Sequence, residues 1–541
     1  MIAVGLAVAQ PAAATDYCVT PNNSCGGTPA ATLQGALASA ASASDADRIF
    51  LGQATYTAPS ASGYVYANAS GPVELIGAGK GNTIVTGPAS SSGVLKMSGG
   101  AGTAVRDLAV HLPQMLPNGV GLDTDGLATG IALDEVKPQS AGHYGVSLHD
   151  GGTLDHSSVA MDPIQSTRGV FFAPGGGSLR DSAVIASEAV RSEYGGTIER
   201  SALTGMTTAV FAGRDSTVIK QSLLRATFPN AAIWVFPLEP SHVSLVADGV
   251  TLVPAIDKGG HGIYAPAFDV PGESVTVDLK NSVIRGYNTA MEATSVGAGT
   301  ASITAAYSDY DTSIAKSSGA NASLTQSHIS NAADPGFVDP AGSDYRLLPN
   351  SPLVDAGDPA TAQGLDLDGN PLVTDGNLDG IARRDIGAFE LPGPLPVVDD
   401  PPPPPPPAGD TPEQGATAGG SGADLSADTQ PPLITSLTSS HRTFAVGRDR
   451  TAVSAIAGGT TLRYTLSEAA TVTVRIRRAR ARRVVGRLTR KARQGRNAVR
   501  FSGRIGRRAL APGRYRASVT ATDAAGNRSA SKRVSFRVVG G

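Results

Sequence analysis

The stretches VSLHDGGTLDHSSV (146–159), VFFAPGGGSLRDSAV (170–184), VRSEYGGTIERSAL (190–203) and VFAGRDSTVIKQSLL (210–224) align with one another. Each opens on an apolar strand and passes through a turn, mostly Gly-rich, into a short strand around Leu154, Leu179, Ile198 or Ile219. A polar turn then leads to a second apolar strand. That polar turn recurs as His156-Ser157-Ser158, Asp181-Ser182-Ala183, Arg200-Ser201-Ala202 and Gln221-Ser222-Leu223, and again as Asn281-Ser282-Val283. Short strands at this spacing cannot bury their apolar faces within one repeat. Stacked rung upon rung they share one interior, which predicts a parallel β-helix of about 22–25 residues per coil.

An open end of such a stack exposes strand edges. Residues 28–51 supply a cover: Thr28 is placed to cap a helix with Pro29 in its first turn. Leu33, Ala36, Leu37, Ala40 and Ala41 make the apolar stripe, and Arg48 to Leu51 begin the first strand. Aromatics are 5 % of the chain, against 65 Gly and 37 Pro, which fits many turns between short strands.

The segment TLQGALASAASASDADRIFLGQATYTA (32–58) with these coils resembles secreted right-handed parallel β-helix proteins of the pectin-lyase-like superfamily. The stretch SPLVDAGDPATAQGLDLDGNPLVTDGNLDGIARRDIGAFE (351–390) resembles the choice-of-anchor Q segment that follows such helices in bacterial surface proteins. The resemblance implies handedness and a closing role for that segment. Within it, Asp375, Asn377 and Asp379 offer oxygens at alternate positions, and Gly380 permits a sharp turn, as in the first half of a calcium loop. The bidentate glutamate of a complete loop is missing, because Ile386 stands twelfth. Asp366, Asp368 or Asp385 would have to fold back to complete a structural Ca2+ site; a metal-free Asp/Asn/Gly turn is the other reading. No cofactor is required by either.

Some β-helix proteins cleave polysaccharides. Gly260-His261-Gly262 resembles a polygalacturonase motif, but no Asn-Thr-Asp or Asp-Asp motif lies upstream of it and no Arg-Ile-Lys downstream, leaving His261 as a weak catalytic candidate. Asp125 and Asp150 lie one repeat apart and would form an acidic column if stacked. No Walker loop, zinc-type cysteine pattern or nucleophile elbow is present.

Seven prolines, Pro401 to Pro407, make a stiff spacer in a Pro/Gly-rich linker over 392–430. From residue 431 onward, 25 Lys+Arg stand against 3 Asp+Glu, while the remainder carries 19 basic and 43 acidic residues. This basic part alternates as antiparallel strands do. Its run LAPGRY (510–515) followed by SVTATDAAGN (518–527) resembles bacterial immunoglobulin-like domains, with Tyr515 as the corner tyrosine. Arg475, Arg477, Arg478, Arg480, Arg482 and Arg483 are candidate polyanion-binding residues, with a plainly solvated surface as the alternative. Nothing in the pattern indicates sequence-specific nucleic-acid recognition.

Residues 1–14 read as the remains of a signal peptide ending in small residues, and no run is apolar enough for a membrane span. Cys18 and Cys25, the only cysteines, predict a local disulfide, the expected state in an exported chain. The expected organisation is all-β: a capped parallel β-helix over 15–350, a closing segment over 351–391, the linker, and a basic sandwich over 431–541. The expected function is a non-catalytic protein, secreted or on the cell surface. Its β-helix would present a glycan or adhesion surface, and its basic module would associate with an acidic cell-wall or extracellular polymer. The alternative is a polysaccharide lyase or glycoside hydrolase.

Overall fold

A computed structural model describes residues 14–392 and 431–539, apart from 22–24, 69–70, 101, 136–141, 165, 227–230, 240, 256–258 and 361–362 in the first stretch. In the second, 440–442, 446–459, 479–483, 494, 502, 506–507, 512, 524 and 526 are excepted. Residues 1–13 of the stretch 1–14 read as a signal-peptide remnant, Pro401 to Pro407 of the linker, and Arg480, Arg482 and Arg483 therefore lie outside the described residues. The chain divides into two units, Met1–Pro403 and Pro404–Gly541.

The first unit is a parallel β-helix. Its described strands form a 14-stranded and a 19-stranded sheet, and within each coil the chain visits the first once and the second twice. Pairing between coils is parallel throughout, and it brings like residues into stacks. In the first sheet Leu154 lies opposite Leu179, Leu179 opposite Ile198, and Ile198 opposite Ile219. In the second, Val146, Val170, Val190, Val210, Ile233 and Ile263 follow one another rung by rung. All are fully buried. At roughly 1.5–3 kcal/mol per buried aliphatic side chain, these stacks dominate the stability of the coil array.

The polar turn puts a left-handed residue at each rung. His156 has φ 46°, Asp181 47°, Arg200 44°, Gln221 42° and Asn281 48°. The serine that follows holds the turn. Its hydroxyl donates to the carbonyl two residues earlier and accepts an N–H from the neighbouring coil. Thus Ser157 N–H donates to Ser182 Oγ (3.0 Å), Ser182 N–H to Ser201 Oγ (3.3 Å) and Ser201 N–H to Ser222 Oγ (3.1 Å). The same bond links Val250 to Ser282 and Ser282 to Ser308.

At the N-terminal end the helix Leu33–Ala41 buries Leu33, Ala36, Leu37 and Ala40 into the same core. Its cap differs from expectation. Thr32, not Thr28, accepts the N–H of Gly35, at 3.1 Å, and Thr28–Ala30 is a strand paired with Asp16–Val19. Main-chain pairing satisfies this stretch better than an extra helical turn, which would leave its N–H groups without acceptors. Cys18 and Cys25 form the predicted disulfide.

The segment after residue 350 lies along the polar-turn flank of the last coils rather than across the end of the stack. Arg384, fully buried, makes two contacts of 3.0 and 3.1 Å with Asp248. It fits because Gly249 has no side chain: an added Cβ would meet Arg384 Nη2 at 1.8 Å. Asn281 Oδ1 accepts the N–H of Asp358, Thr251 Oγ1 accepts that of Ala388, and Lys280 pairs with Asp358 at 2.5 Å. Ile386, Leu353 and Val354 pack on Val283. The final strands Ala315–Ser318 and Ala322–Ser327 stay largely exposed. Inside the clasp, burial pushes the Asp385 carboxyl up to about 7 and Glu390 to about 10, and raises Asp366.

The second unit packs two sheets on one core. Ile434–Ser439, Thr460–Leu466 and Gly495–Phe501 form one sheet; Thr443–Ala445, Lys532–Val539, Gly513–Thr522, Ala470–Arg478 and Val484–Ala492 form the other. Val472, Val474, Ile476, Leu462, Phe501, Val519 and Phe536 fill the space between them. The Tyr515 hydroxyl donates to Ala511 O at 2.6 Å.

Two outcomes follow from these contacts. Ser222→Ala strands the buried N–H of Ser201 and should cost about 1–3 kcal/mol, read as a lowered melting temperature of the β-helix. The clasp carboxyls hold their protons more tightly folded than unfolded, so their contribution is complete below the ordinary carboxylate range. It is lost as pH rises through about 7 and then about 10. Glu390→Gln should therefore melt close to the parent at pH about 5 and higher than the parent at pH about 9; equal melting at both values would contradict this assignment.

Candidate active site

The second column of the 19-stranded sheet turns one set of side chains into the core and another outward. Because the strands pair in parallel register, the outward positions form ladders. One runs Tyr144, Arg168, Glu188, Thr208 along successive coils. Farther along the same sheet, His261 faces Thr289. The other runs Lys96, Asp123, Ser147, Phe171, Arg191, Phe211, Trp234, Tyr264, Glu292, Lys316. Rungs in a β-sheet stand about 4.8 Å apart, so this second ladder extends over roughly 40 Å.

Its middle is aromatic and charged at once. Tyr144 and Phe171 rings lie 5.0 Å apart, Phe211 and Trp234 5.8 Å, Trp234 and Phe236 5.3 Å, and Phe236 and Phe268 5.3 Å. Arg191 sits over Phe211 at 4.2 Å and Arg168 over Tyr144 at 5.0 Å. These stacks fix both guanidinium groups beside Glu188: Arg191 Nη1 is 3.3 Å away and Arg168 Nε 3.8 Å. Arg191 Nε also donates to Glu193 at 2.5 Å. Two carboxylates thus grip one guanidinium.

Glu188 has a side chain only 15 % exposed. Burial raises its carboxyl above the ordinary range, against the opposing pull of Arg191 and Arg168. Burial also works against the Arg191 charge, but the two carboxylates outweigh it and raise the guanidinium. A buried carboxyl whose proton affinity is raised, beside ordered charges, has the character general acid catalysis uses. His261 forms a second group, 2.8 Å from Glu292, which Lys316 also approaches at 3.3 Å; the His261 and Tyr264 rings are 4.9 Å apart.

Some of the residues singled out in the sequence meet here and others do not. His261 takes an outward position on the sheet that carries Tyr144 and Arg168, with Glu292 as partner. The acidic column does not form. Asp125 accepts the N–H groups of Gly99 and Gly100, and register places it beside His149 rather than Asp150. In the acidic loop, Asp375 accepts from Asp379 and Gly380, Asn377 from Asp379, and Asp379 from Ile381, a hydrogen-bonded turn. Asp366 and Asp385 do not fold back to it. They accept from Asn370 and Glu390, and from Asp355 and Leu391. It is Asp355 that reaches the loop, taking the N–H groups of Gly376 and Asn377. Among the described residues, Asp155, His156 and Asp181 bring three potential metal ligands, two carboxylates and an imidazole, together on the polar-turn side. Asp181 is already held by two bonds from Arg200, and His156 by Asp155.

Glu188, Arg191 and Glu193 were missed in the sequence. The signal was present as EAVRSE (188–193), but charged residues in a strand read as solvent-facing until the register shows what stands beside them.

No family model matches the chain, and no curated protein matches it. Among solved structures it is similar to the A-modules of two mannuronan C-5 epimerases of Azotobacter vinelandii. One aligns at TM-score 0.31 and 12 % identity over 55 % of this chain and 93 % of that one. The other aligns at TM-score 0.28 and 12 % identity over 55 % and 91 %. The expected non-catalytic reading is corrected: the outward face holds a buried acid beside ordered charges. No described helix is long and apolar enough to cross a membrane.

Proposed function

We propose that the chain is a polysaccharide-acting enzyme whose active face is the outward ladder from Tyr144 to Glu292, and that the reaction is glycosidic bond cleavage. The observation that supports this reading is Glu188, a burial-raised carboxyl fixed between Arg168 and Arg191 within a strip of aromatic rings. Glu188 is the proton donor to the leaving oxygen. Glu193, on the other side of the same guanidinium, is the second carboxylate that hydrolysis needs. Phe171, Phe211, Trp234 and Tyr264 offer apolar rings for sugar faces along the ladder. Lyase chemistry is the neighbouring reading, with Arg168 and Arg191 beside a uronate.

We read the C-terminal unit as an Ig-like sandwich, on its two sheets and the Tyr515–Ala511 tie. The segment over 351–391 we read as a choice-of-anchor Q type clasp. Its calcium ligands would be Asp375, Asn377 and Asp379. Export of the chain is consistent with the Cys18–Cys25 disulfide.

The test is turnover of a panel of acidic and neutral polysaccharides, scored for new reducing ends and for unsaturated products. Reducing ends without unsaturation are expected. Glu188→Gln should lower kcat by about 10²–10⁴-fold, while KM changes little. Because the acid must be protonated, parent activity should fall as pH rises, with its alkaline limb above the ordinary glutamate range. Unsaturated products would transfer the assignment to a lyase. No turnover by folded protein, or full activity in Glu188→Gln, would overturn the reading.

A further inference from the structure

We propose that the outer face of the five-stranded sheet in the C-terminal unit binds a linear polycarboxylate glycan. The sequence located positive charge mainly around 475–483; the strand register assembles a different set. Val472, Val474 and Ile476 point into the core, so Arg475 and Arg477 point out. Arg475 stands opposite Arg487, Arg477 opposite Arg516, and Arg514 opposite Arg537. Arg533, opposite Ser518, and Lys491, opposite Thr471, complete the face.

Like charges directly opposite one another in a sheet are destabilising. Here three such pairs share one face. Among the described residues no ion pair joins any of these cations to an acid, and the described acids of this unit, Glu468 and Asp523, lie beyond the strand ends. Between these cations the outward positions include the hydroxyls of Thr471, Thr473, Thr489, Ser518, Thr520 and Ser535. A face of this composition relieves its repulsion by taking up an anion.

The chemistry of the anion follows from what the face lacks. Among the described residues its aromatic side chains, Tyr515 and Phe536, are buried at 3 % exposure and offer nucleobases no stacking platform. Val485, on the edge strand, is its one exposed large apolar side chain among the described residues, too little to enter a lipid interface. Guanidinium groups bind carboxylates through paired N–H donors, and the interleaved hydroxyls suit sugar hydroxyls. A polymer that repeats carboxylates along a hydroxyl-rich chain meets both. The site lies in a separate unit from the ladder of Glu188, and its occupancy does not depend on cleavage there.

The experiment measures binding of the full chain to polygalacturonate at about 50 mM and about 200 mM salt, with duplex DNA and phosphatidylglycerol vesicles as competing probes. The variant Arg475→Gln/Arg487→Gln/Arg514→Gln/Arg516→Gln should bind the polyuronate at least about tenfold more weakly and show a shallower salt dependence. The control Arg490→Gln/Arg493→Gln, whose cations are exposed but off this face, should stay within about twofold. The four-position Arg→Lys variant keeps the charges and should fall between them. Should the fourfold Gln variant fail to fold, Arg475→Gln/Arg487→Gln serves instead, with a loss of at least about threefold. Equal losses in face and control variants, tighter binding to DNA or vesicles at the same salt, or no binding to polyuronate would each overturn the proposal. Loss of binding with cleavage intact, or the reverse, separates this site from the active face.

Discussion

Everything in the β-helix depends on a turn that is unfavourable alone and satisfied only in an array. A side chain in the left-handed region costs on the order of 1–2 kcal/mol, and this chain repeats that cost from His156 to Asn281. The serine after each such residue fixes the turn twice, once to its own coil and once to the next. Removing the neighbouring coil would strand an N–H at each step. The turn therefore propagates register: once one serine is placed, the next strand can pair in only one way. The aliphatic stacks and the outward ladders inherit that alignment.

The ladder is interrupted where Gly249 and Val250 replace the left-handed polar residue and serine of other coils. The clasp enters at that place. Arg384 fills the space a side chain at position 249 would occupy and pairs with Asp248, while Asn281 of the next coil binds Asp248 and Asp358 together. A fully buried arginine is expensive unless its charge is met. Asp248 meets it at close range, and Glu390 lies 4.0 Å from its Nε. The raised carboxyls of Asp385 and Glu390 follow from the same enclosure, because burial disfavours each charge and neighbouring acids, Asp366 among them, repel one another out of water.

The proposed active face is built on the same array. Parallel pairing puts residues 20 to 30 positions apart in sequence on adjacent rungs. Arg168, Glu188 and Arg191 come from two coils, and the ring under Arg191 from a third. Each guanidinium rests on an aromatic face and is held by a carboxylate, so both have fixed directions before any substrate arrives. Burial keeps the Glu188 carboxyl raised against the pull of those positive charges.

The sequence by itself determined the coil. The repeat, the recurring polar-Ser turn, the helix over Leu33–Ala41 and the Cys18–Cys25 bridge are local patterns, and local patterns fix local geometry. It also showed the charge division between the two units. Only the tertiary structure decided which charges face each other. Whether Glu188 is a solvated side chain or a proton donor depends on Arg168 one rung away and on the burial that surrounds it. Whether Arg475 belongs to a run of arginines or to a sheet face depends on its standing opposite Arg487. The same holds for Asp385, predicted as a loop ligand and found inside the clasp. Electrostatics and burial are properties of neighbours, and in a parallel array the neighbours that matter are a coil apart in sequence.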